Sequence, residues 1–109
     1  MRRLTNEDVT RIVEQTMRRA LDLRATKSVE YAEDGDGLST VRRIAIATGA
    51  TMPMVVTTFM LKHVDAVVTH VRINDKTRHL TEPIEHRIDD AVLYLCLLKA
   101  ALSEESGDG

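Results

Sequence analysis

The chain has 109 residues, one cysteine, and a formal net charge of −2 from 15 basic and 17 acidic residues. This length indicates one domain, and the near-neutral charge argues against a protein that mainly coats DNA or an anionic membrane. One cysteine excludes an internal disulfide framework. Cys96 lies in an apolar run and no apolar signal-peptide core follows the basic N-terminus, so we expect the cytoplasm.

The hydrophobic composition favours packed helices. Hydrophobic residues make up 43% of the chain and aromatic residues only 3%, so the core must consist of aliphatic side chains. Few rings are present for base stacking, which leaves no strong signal for nucleic-acid binding. The longest apolar run, residues 91–98, is far shorter than the roughly 20 residues that a membrane span needs, and we expect no membrane partner.

The first predicted helix covers residues 6–23. Thr5 and Asp8 form a variant of the capping box at its start. Apolar residues at helical spacing predict an inward stripe of Val9, Ile12, Val13, Met17, Ala20 and Leu21. The segment EDGDG, residues 33–37, then predicts a turn, because glycine and aspartate both favour turns.

The middle of the chain predicts two more helices. A short one covers residues 39–48, and Gly49 stands where a left-handed C-terminal cap is expected. Residues 53–74 are ambiguous, because their β-branched clusters favour strands. Their periodicity favours a helix with Val56, Met60, His63, Val64, Val67 and Val71 on one side. Pro53 in the first turn supports the helix.

The last predicted helix begins near Pro83 and ends at about Glu104. Its predicted inward side consists of Ile84, Ile88, Ala91, Val92, Leu95, Leu98 and Leu102. Residues 91–98 are apolar all round, which indicates a central helix or a subunit interface. The prediction is therefore a single all-α domain over residues 1–104, a compact bundle of about four helices that forms a homo-oligomer, followed by a disordered tail at 105–109.

Three acidic residues at the start of the last helix are candidate metal ligands. Glu82, Glu85 and Asp89 are spaced i, i+3 and i+7, which places their carboxylates on one helical face. Such a face can bind magnesium, which would also engage a nucleotide phosphate. The alternative is structural, because acids in a first helical turn are favoured by the helix dipole and Glu82 can cap the helix.

The segment KHVDAVVTH in the third helix holds two histidines seven residues apart. His63 and His70 are predicted to share the mostly apolar face, where a histidine could donate to a phosphate or to an acid on the last helix. The alternative is a core histidine that bonds to a carbonyl or a carboxylate. The four histidines do not form HExxH or a cysteine-assisted zinc pattern, so zinc is not expected.

The segment KSVEYAEDGDGL is a further candidate. Its aspartates resemble the start of a calcium loop, but Ala45 stands where a bidentate glutamate is needed, which excludes an EF-hand. Tyr31 could pack its ring in the core with its hydroxyl at the rim, and Lys27, one turn earlier, could meet a phosphate there. The alternative is a solvated lysine beside a half-buried tyrosine.

Three segments, KSVEYAEDGDGL, ATGATMPMVVTTFMLKHVDAVV and EPIEHRIDDAVLYLCLLKAAL, together resemble small bacteriophage proteins of the nucleotide-modification-associated group. The resemblance covers about residues 24–102. The matching positions are Lys27, Glu30, Tyr31, Asp36, Leu38, Lys62, His63, Glu82, Glu85, Arg87, Asp89 and Tyr94. It implies a phage accessory protein close to nucleotide chemistry, acting in the cytoplasm of an infected bacterium.

The chain is also distantly similar to the MazG-type all-α nucleoside triphosphate pyrophosphohydrolases. Those enzymes hold magnesium on an acidic helix and carry a Glu-x-x-Glu pair on an earlier one, for which the nearest match here is Glu30 with Glu33. This similarity implies magnesium at Glu82, Glu85 and Asp89.

Three hypotheses follow. The first is a binder of a nucleotide or nucleotide-derived signal, which in a phage could sequester a host defence messenger. Its predicted ligand-binding residues are Lys27, Tyr31, Lys62, His63, Arg87 and Tyr94. The second is a magnesium-dependent nucleotide pyrophosphohydrolase that uses the three acids. The third is a protein–protein interaction module in which these polar residues only order the bundle.

Overall fold

The structure is a computed structural model that describes residues 2–31, 35–73 and 83–107, with only the backbone described at 28–31 and 73. The described residues form four helices: α1 Asn6–Tyr31, α2 Ser39–Thr48, α3 Met52–Ile73 and α4 Ile84–Ser106. The all-α prediction is confirmed for this part of the chain. The periodicity of residues 53–74, rather than their β propensity, predicted the element correctly, because side-chain packing outweighs intrinsic preference.

The predicted capping box starts α1. The backbone N–H of Thr5 donates to Asp8 Oδ2 at 2.8 Å, and the N–H of Asp8 donates to Thr5 Oγ1 at 3.1 Å. The bond from the Thr5 N–H is the main reason that the pKa of Asp8 lies below its usual range. The helix continues eight residues beyond its predicted end at Leu23, because it keeps packing on α4 through Lys27 after its apolar pattern ends.

Glycines end two of the helices. Gly49 has φ 74° and donates its N–H to the carbonyl of Ala45 at 2.9 Å, which confirms the predicted left-handed cap of α2. Gly107 has φ 77° and donates to the carbonyls of Glu104 and Ser103. Residues 105 and 106, which the sequence assigned to a disordered tail, therefore belong to α4, because Gly107 supplies the cap that ends the helix.

The two prolines lie one residue away from their predicted positions. Pro53 is the second residue of α3, whereas Pro83 precedes α4 as its N-cap with ψ 145°. Proline has no backbone N–H to donate. At the start of a helix this N–H would have no helical acceptor, so proline is compatible with either position.

The core lies where α2 meets the first half of α3 and the last half of α4. Val56 and Ala101 have no exposed surface, and they cluster with Val41, Ala45 and Val55. Because Val56 pairs with Ala101 here and His63 lies beside Asp90, α3 and α4 run antiparallel.

An ion-pair network holds α2 against the end of α4. Arg42 contacts the carboxylate of Asp36 at 2.8 Å and that of Glu104 at 2.6 Å. The hydrogen bond from Arg42 is the main cause of a lowered pKa at Asp36, and the same two carboxylates raise the pKa of Arg42. This network closes the core end of the bundle.

The described residues at the opposite end, here called the open end, pack less closely than the compact bundle that the sequence predicted. Of the predicted inward stripe of α1 only Ala20 is buried, while Val9, Ile12, Val13, Met17 and Leu21 are exposed. Along the described part of α1, the ion pairs with α4 come from Arg19 and Lys27, both in its second half.

The inward stripes predicted for α3 and α4 are only partly buried. Val64 and Val71 of α3 and Ile88, Leu95 and Leu102 of α4 are exposed, whereas Leu93, outside the predicted stripe, is buried. Among the described helices, α1 packs mainly on α4, α2 packs mainly on α3, and α3 and α4 pack on each other, so each helix covers only part of its apolar circumference.

Among the described residues, no single helix is long and apolar enough to cross a membrane. The bent pair formed by α2 and α3, with 104° between them, reaches that length and composition only when both helices are counted together.

The location of the core predicts that two valines of α3 contribute differently to the free energy of unfolding. Val56→Ala should lower the free energy of unfolding by about 2 kcal/mol, because its side chain is fully buried and the space cannot refill. Val71→Ala, on the exposed last turn, should change it by less than about 0.5 kcal/mol. Urea unfolding followed by circular dichroism measures both, and equal losses would contradict this location of the core.

Candidate functional site

Two adjacent aspartates of α4 are buried against α1 and α3. Asp89 is 6% exposed and Asp90 is 9% exposed, although both precede the apolar half of the helix. Buried carboxylates need partners, since an unpaired charge in a low-dielectric interior is costly. The partners come from the two neighbouring helices, and they define the site.

The Asp90 cluster consists of Lys27, His63, Arg87, Asp90 and Tyr94, which come from three helices. Asp90 Oδ1 lies 3.6 Å from Lys27 Nζ on α1, and Asp90 Oδ2 lies 3.7 Å from His63 Nδ1 on α3. Arg87 Nη1 lies 3.3 Å from the same His63 nitrogen. One carboxylate thus joins α1 and α3 to α4.

Tyr94 forms the aromatic part of this cluster. Its ring stacks on His63 with centroids 5.3 Å apart and an interplanar angle of 19°. The Lys27 ammonium lies 5.2 Å from the ring centroid, within cation–π range. Phe59 packs against the same ring at 6.2 Å. The Lys27 side chain is therefore held by a carboxylate and a ring together.

The imidazole of His63 is neutral at neutral pH. Burial lowers the pKa of His63; Asp90 opposes this, and the charges of Arg87, Lys27 and Lys62 add to the lowering. A guanidinium can only donate, so Nδ1 of the neutral ring accepts from Arg87 and the ring proton resides on Nε2. His63 therefore acts as a packed, hydrogen-bonded base and not as a fixed cation.

Asp89 pairs with α1 at a second point. Arg19 Nε donates to Asp89 Oδ2 at 2.9 Å, at the edge of a cavity of about 420 Å³ between α1 and α4. The cavity is lined by Arg19, Asp22, Leu23, Lys27, His86, Asp89 and Asp90. Three of these residues are aspartates and two, Arg19 and Lys27, are cations, so acids outnumber cations in this cavity.

The Tyr94 cavity, of about 230 Å³, lies on the other side of Lys27, between α1, α2, α3 and α4. It is lined by Arg24, Lys27, Gly37, Leu38, Thr40, Val41, Phe59, Leu93, Tyr94 and Leu97. Within the described ranges, both charged lining residues are cations. The cavity thus combines an apolar wall with positive charge at one side, an arrangement that suits an apolar ring carrying an anionic group.

Gly37 lets Arg24 reach this cavity. A Cβ atom at Gly37 would lie 2.9 Å from Arg24 Nη2, closer than real Cβ contacts. Gly37 does not have positive φ, so its backbone is open to other residues. Because Gly37 has no side chain, the Arg24 guanidinium can occupy the space beside it.

The structure brings together four of the six predicted ligand-binding residues: Lys27, His63, Arg87 and Tyr94. Lys62 is exposed beside them, and its charge acts on His63 from a distance. The side chain of Tyr31 lies outside the described residues. His70 is exposed, so the prediction that it shares an interior face with His63 is wrong, because α3 has by then extended into the open end.

The predicted magnesium ligands are only partly described. Glu82 lies outside the described residues, Glu85 is exposed on the first turn of α4, and Asp89 is buried on Arg19. Among the described side chains, no group of three or more His, Cys, Asp or Glu residues could hold a metal ion. Magnesium at Glu82, Glu85 and Asp89 stays a prediction.

Sequence reasoning missed Asp90 and Arg24. Arg87, Asp90 and Tyr94 are spaced i, i+3 and i+7 and share one face of α4, so their periodicity could have identified the cluster. No comparable signal marked Arg24, because its role depends on Gly37, which is distant along the chain.

Across residues 2–31, 35–73 and 83–107, fold and site together define four packed α-helices with a cation-lined apolar cavity. No family model, no curated protein and no solved structure matches this chain. The resemblance to phage and pyrophosphohydrolase families therefore stays a prediction, and the function must be argued from the site itself.

The lowered pKa of His63 predicts how stability depends on pH. The unfolded chain titrates near the ordinary histidine pKa of about 6.5, above the folded value, so it binds more protons between the two. The free energy of unfolding should therefore be highest above about pH 6.5. It should fall as the pH drops from about 6.5 towards the pKa of His63 in the folded protein. Urea unfolding at half-unit pH intervals measures the slope.

His63→Gln should abolish this decline, whereas His70→Gln, which changes an exposed histidine of the same helix, should retain it. The readout is the slope between about pH 5 and 6.5, above the range in which ordinary carboxylates titrate. An unchanged slope in His63→Gln would contradict the assignment.

Proposed function

We propose that the protein binds a nucleotide or nucleotide-derived signal in the Tyr94 cavity. The observation that supports this most is the lining itself: an apolar wall of Leu38, Phe59 and Leu97 faces two cations, Arg24 and Lys27. An apolar wall suits the flat faces of a base, and the cations suit a phosphate. In an infected bacterium, as the phage resemblance implies, such a binder would sequester a host defence messenger.

The size of the cavity supports a binding mode in which only the base of the nucleotide lies inside it. Its volume of about 230 Å³ is slightly below the range of about 300–1,000 Å³ typical of ligand pockets. One base fits this space, and the phosphate remains at the opening beside Lys27. The ammonium group has three donors, so it can hold Asp90 and a phosphate oxygen together.

Preorganisation also supports binding at Lys27. The side chain is held between Asp90 and the ring of Tyr94, and it is two thirds buried. A lysine already fixed in position loses less rotamer entropy when it meets a ligand than a free surface lysine does.

Pyrophosphate hydrolysis is the less supported alternative. Of the acids on α4, Asp89 is committed to Arg19, and Asp90 to Lys27 and His63. Hydrolysis by bound magnesium would need these carboxylates, or the predicted set with Glu82, to turn towards a metal. Binding uses the side chains as they are paired now.

The test is calorimetric titration of the full chain with nucleotides, cyclic dinucleotides and ADP-ribose derivatives, with and without magnesium, followed by chromatography of the ligand. We expect binding with the ligand intact. Loss of the ligand only with magnesium would establish the hydrolase instead. No heat of binding with any of these compounds would contradict the proposal.

Lys27→Gln, which keeps an N–H donor for Asp90 and removes the cation, should weaken this binding by about 10-fold to 100-fold, the cost of one charge-assisted hydrogen bond. Lys99→Ala removes an exposed lysine at the other end of α4 and should leave the affinity unchanged. Equal effects of the two substitutions would indicate non-specific attraction of the anion.

Gly37→Ala tests the cavity without removing a charge. The new methyl group should displace the Arg24 guanidinium and weaken binding by about 10-fold. Its circular dichroism and unfolding midpoint should stay close to those of the parent chain, because Arg24 Nη2 is the end of a flexible side chain. Unchanged affinity would show that Arg24 does not contact the ligand.

A further inference from the structure

The α2–α3 pair has the geometry of a helix-turn-helix unit. Residues 49–51 join the two helices, and 104° separates their directions. Helix-turn-helix units join two helices at about 90–120° through a turn of three or four residues that often contains glycine. Gly49 begins this turn, because its φ of 74° is left-handed and ends α2. In DNA-binding proteins, the second helix of such a unit lies in the major groove.

The inner side of this corner is packed, so the angle between the two helices is fixed. Ala45 of α2 and Val55 of α3 are buried in one hydrophobic cluster, together with Ala101 of α4. Ile44 and Ala50 pack against the same cluster. A fixed angle matters, because the first helix of the unit must cross the DNA backbone while the second reaches the bases.

The first three turns of α3 expose one face, here called the α3 face, which consists of Met54, Thr58, Leu61 and Lys62. Met54 is 58% and Leu61 is 55% exposed, and the other two side chains are also exposed. At about 100° per residue, the four side chains span about 100° around the helix. Val56, which has no exposed surface, lies on the opposite side. The α3 face therefore points away from the core and is accessible.

The segment around this face is cationic, although the whole chain has a net charge of −2. Residues 37–64 contain three cations, Arg42, Arg43 and Lys62, and no acid. Arg42 already pairs with two carboxylates, so it holds α2 in place. Arg43 is exposed on α2, and Lys62 is exposed on the α3 face. These two cations are accessible to the phosphates of a nucleic acid.

We propose that α2 and α3 form a binding unit for double-stranded DNA, in which the first three turns of α3 enter the major groove. Arg43 and Lys62 meet phosphates beside the groove, and these contacts set the register of the helix on the duplex. A protein partner with an apolar surface would account for Met54 and Leu61 but not for the acid-free cationic segment, so DNA explains more of what the two helices present.

The residue types on the α3 face indicate which bases it contacts. Residues 51–61 contain no Arg, Asn or Gln, the side chains that form paired hydrogen bonds with guanine or adenine. Met54 and Thr58 instead offer methyl groups, which suit the C5 methyl group of thymine. Asp65, the first acid after this segment, lies on the fourth turn of α3 and limits the contact to the three turns before it. The unit should therefore favour thymine-rich duplexes.

DNA binding and ligand binding are separate properties of the chain. Phe59 lines the Tyr94 cavity from α3, and it lies about 110° around the helix from the centre of the α3 face. DNA binding therefore needs no ligand in the cavity, and either proposal can fail without the other.

The first experiment is fluorescence anisotropy of the full chain with a labelled A·T duplex of about 20 base pairs at about 0.1 M salt. We expect a dissociation constant of about 1–10 μM. The same duplex with deoxyuridine in place of thymidine lacks the C5 methyl groups and keeps its minor groove. It should bind about 4-fold more weakly for each methyl group that the protein contacts.

Thr58→Glu puts a carboxylate on the α3 face and should weaken duplex binding at least about 10-fold. Its helix content and unfolding midpoint should be retained, because Thr58 is exposed. Val71→Glu is the matched control. It adds the same charge to an exposed position of the same helix, about 20 Å away and thus beyond the screening length of about 10 Å.

The phosphate contacts are tested by salt dependence. Two contacts give a slope of about −2 for the logarithm of affinity against the logarithm of salt concentration. Arg43→Gln should bring this slope closer to zero by about 1, whereas Lys99→Ala, on α4, should leave it unchanged.

No binding of the A·T duplex at about 100 μM protein, weaker than non-specific contact gives, would overturn the proposal and leave the α3 face to a protein partner. Equal binding of the thymidine and deoxyuridine duplexes would overturn it by removing α3 from the major groove. Equal losses in Thr58→Glu and Val71→Glu would overturn it by placing the DNA elsewhere on the chain.

Discussion

The buried carboxylate of Asp90 is the interaction on which the arrangement of α1, α3 and α4 depends. It lies 3.6 Å from the Lys27 ammonium and 3.7 Å from the His63 imidazole, so it joins three helices at one point. Burying it is costly, and the Lys27 ammonium offsets that cost, whereas the neutral His63 ring only packs beside the carboxylate. The same requirement fixes Lys27 at the side of the Tyr94 cavity. A constraint of folding thus positions the cation that we propose for phosphate binding.

The two ends of the bundle differ in how far their apolar residues are buried. At one end, Val56 and Ala101 are sealed by the aliphatic core and by the network around Arg42. At the other end, the described apolar residues Val9, Val13 and Met17 of α1 are exposed. Hydrophobic burial scales with the area removed from water, so the open end is the part of the molecule with the most stability to gain from a partner.

Prediction from sequence succeeded where the signal is local and failed where it depends on distant contacts. The Thr5 cap, the Gly49 cap and the helical period of α3 were read correctly, because each depends on residues within one or two turns. The inward stripe of α1 was wrong, because periodicity identifies an apolar face without showing whether anything covers it. Asp90 was missed for a related reason, since its partners are more than 20 residues away.

The sequence by itself determined the four helices of the described residues and the caps at Thr5 and Gly49, because helix formation and capping are governed by neighbours along the chain. Tertiary structure alone decided that Asp90, and not the predicted acid face, meets Lys27 and His63. It also decided that Gly37 makes room for Arg24 and that the first half of α1 is left uncovered. These outcomes depend on how helices are placed against one another, and that placement results from the summed packing of residues that the sequence keeps far apart.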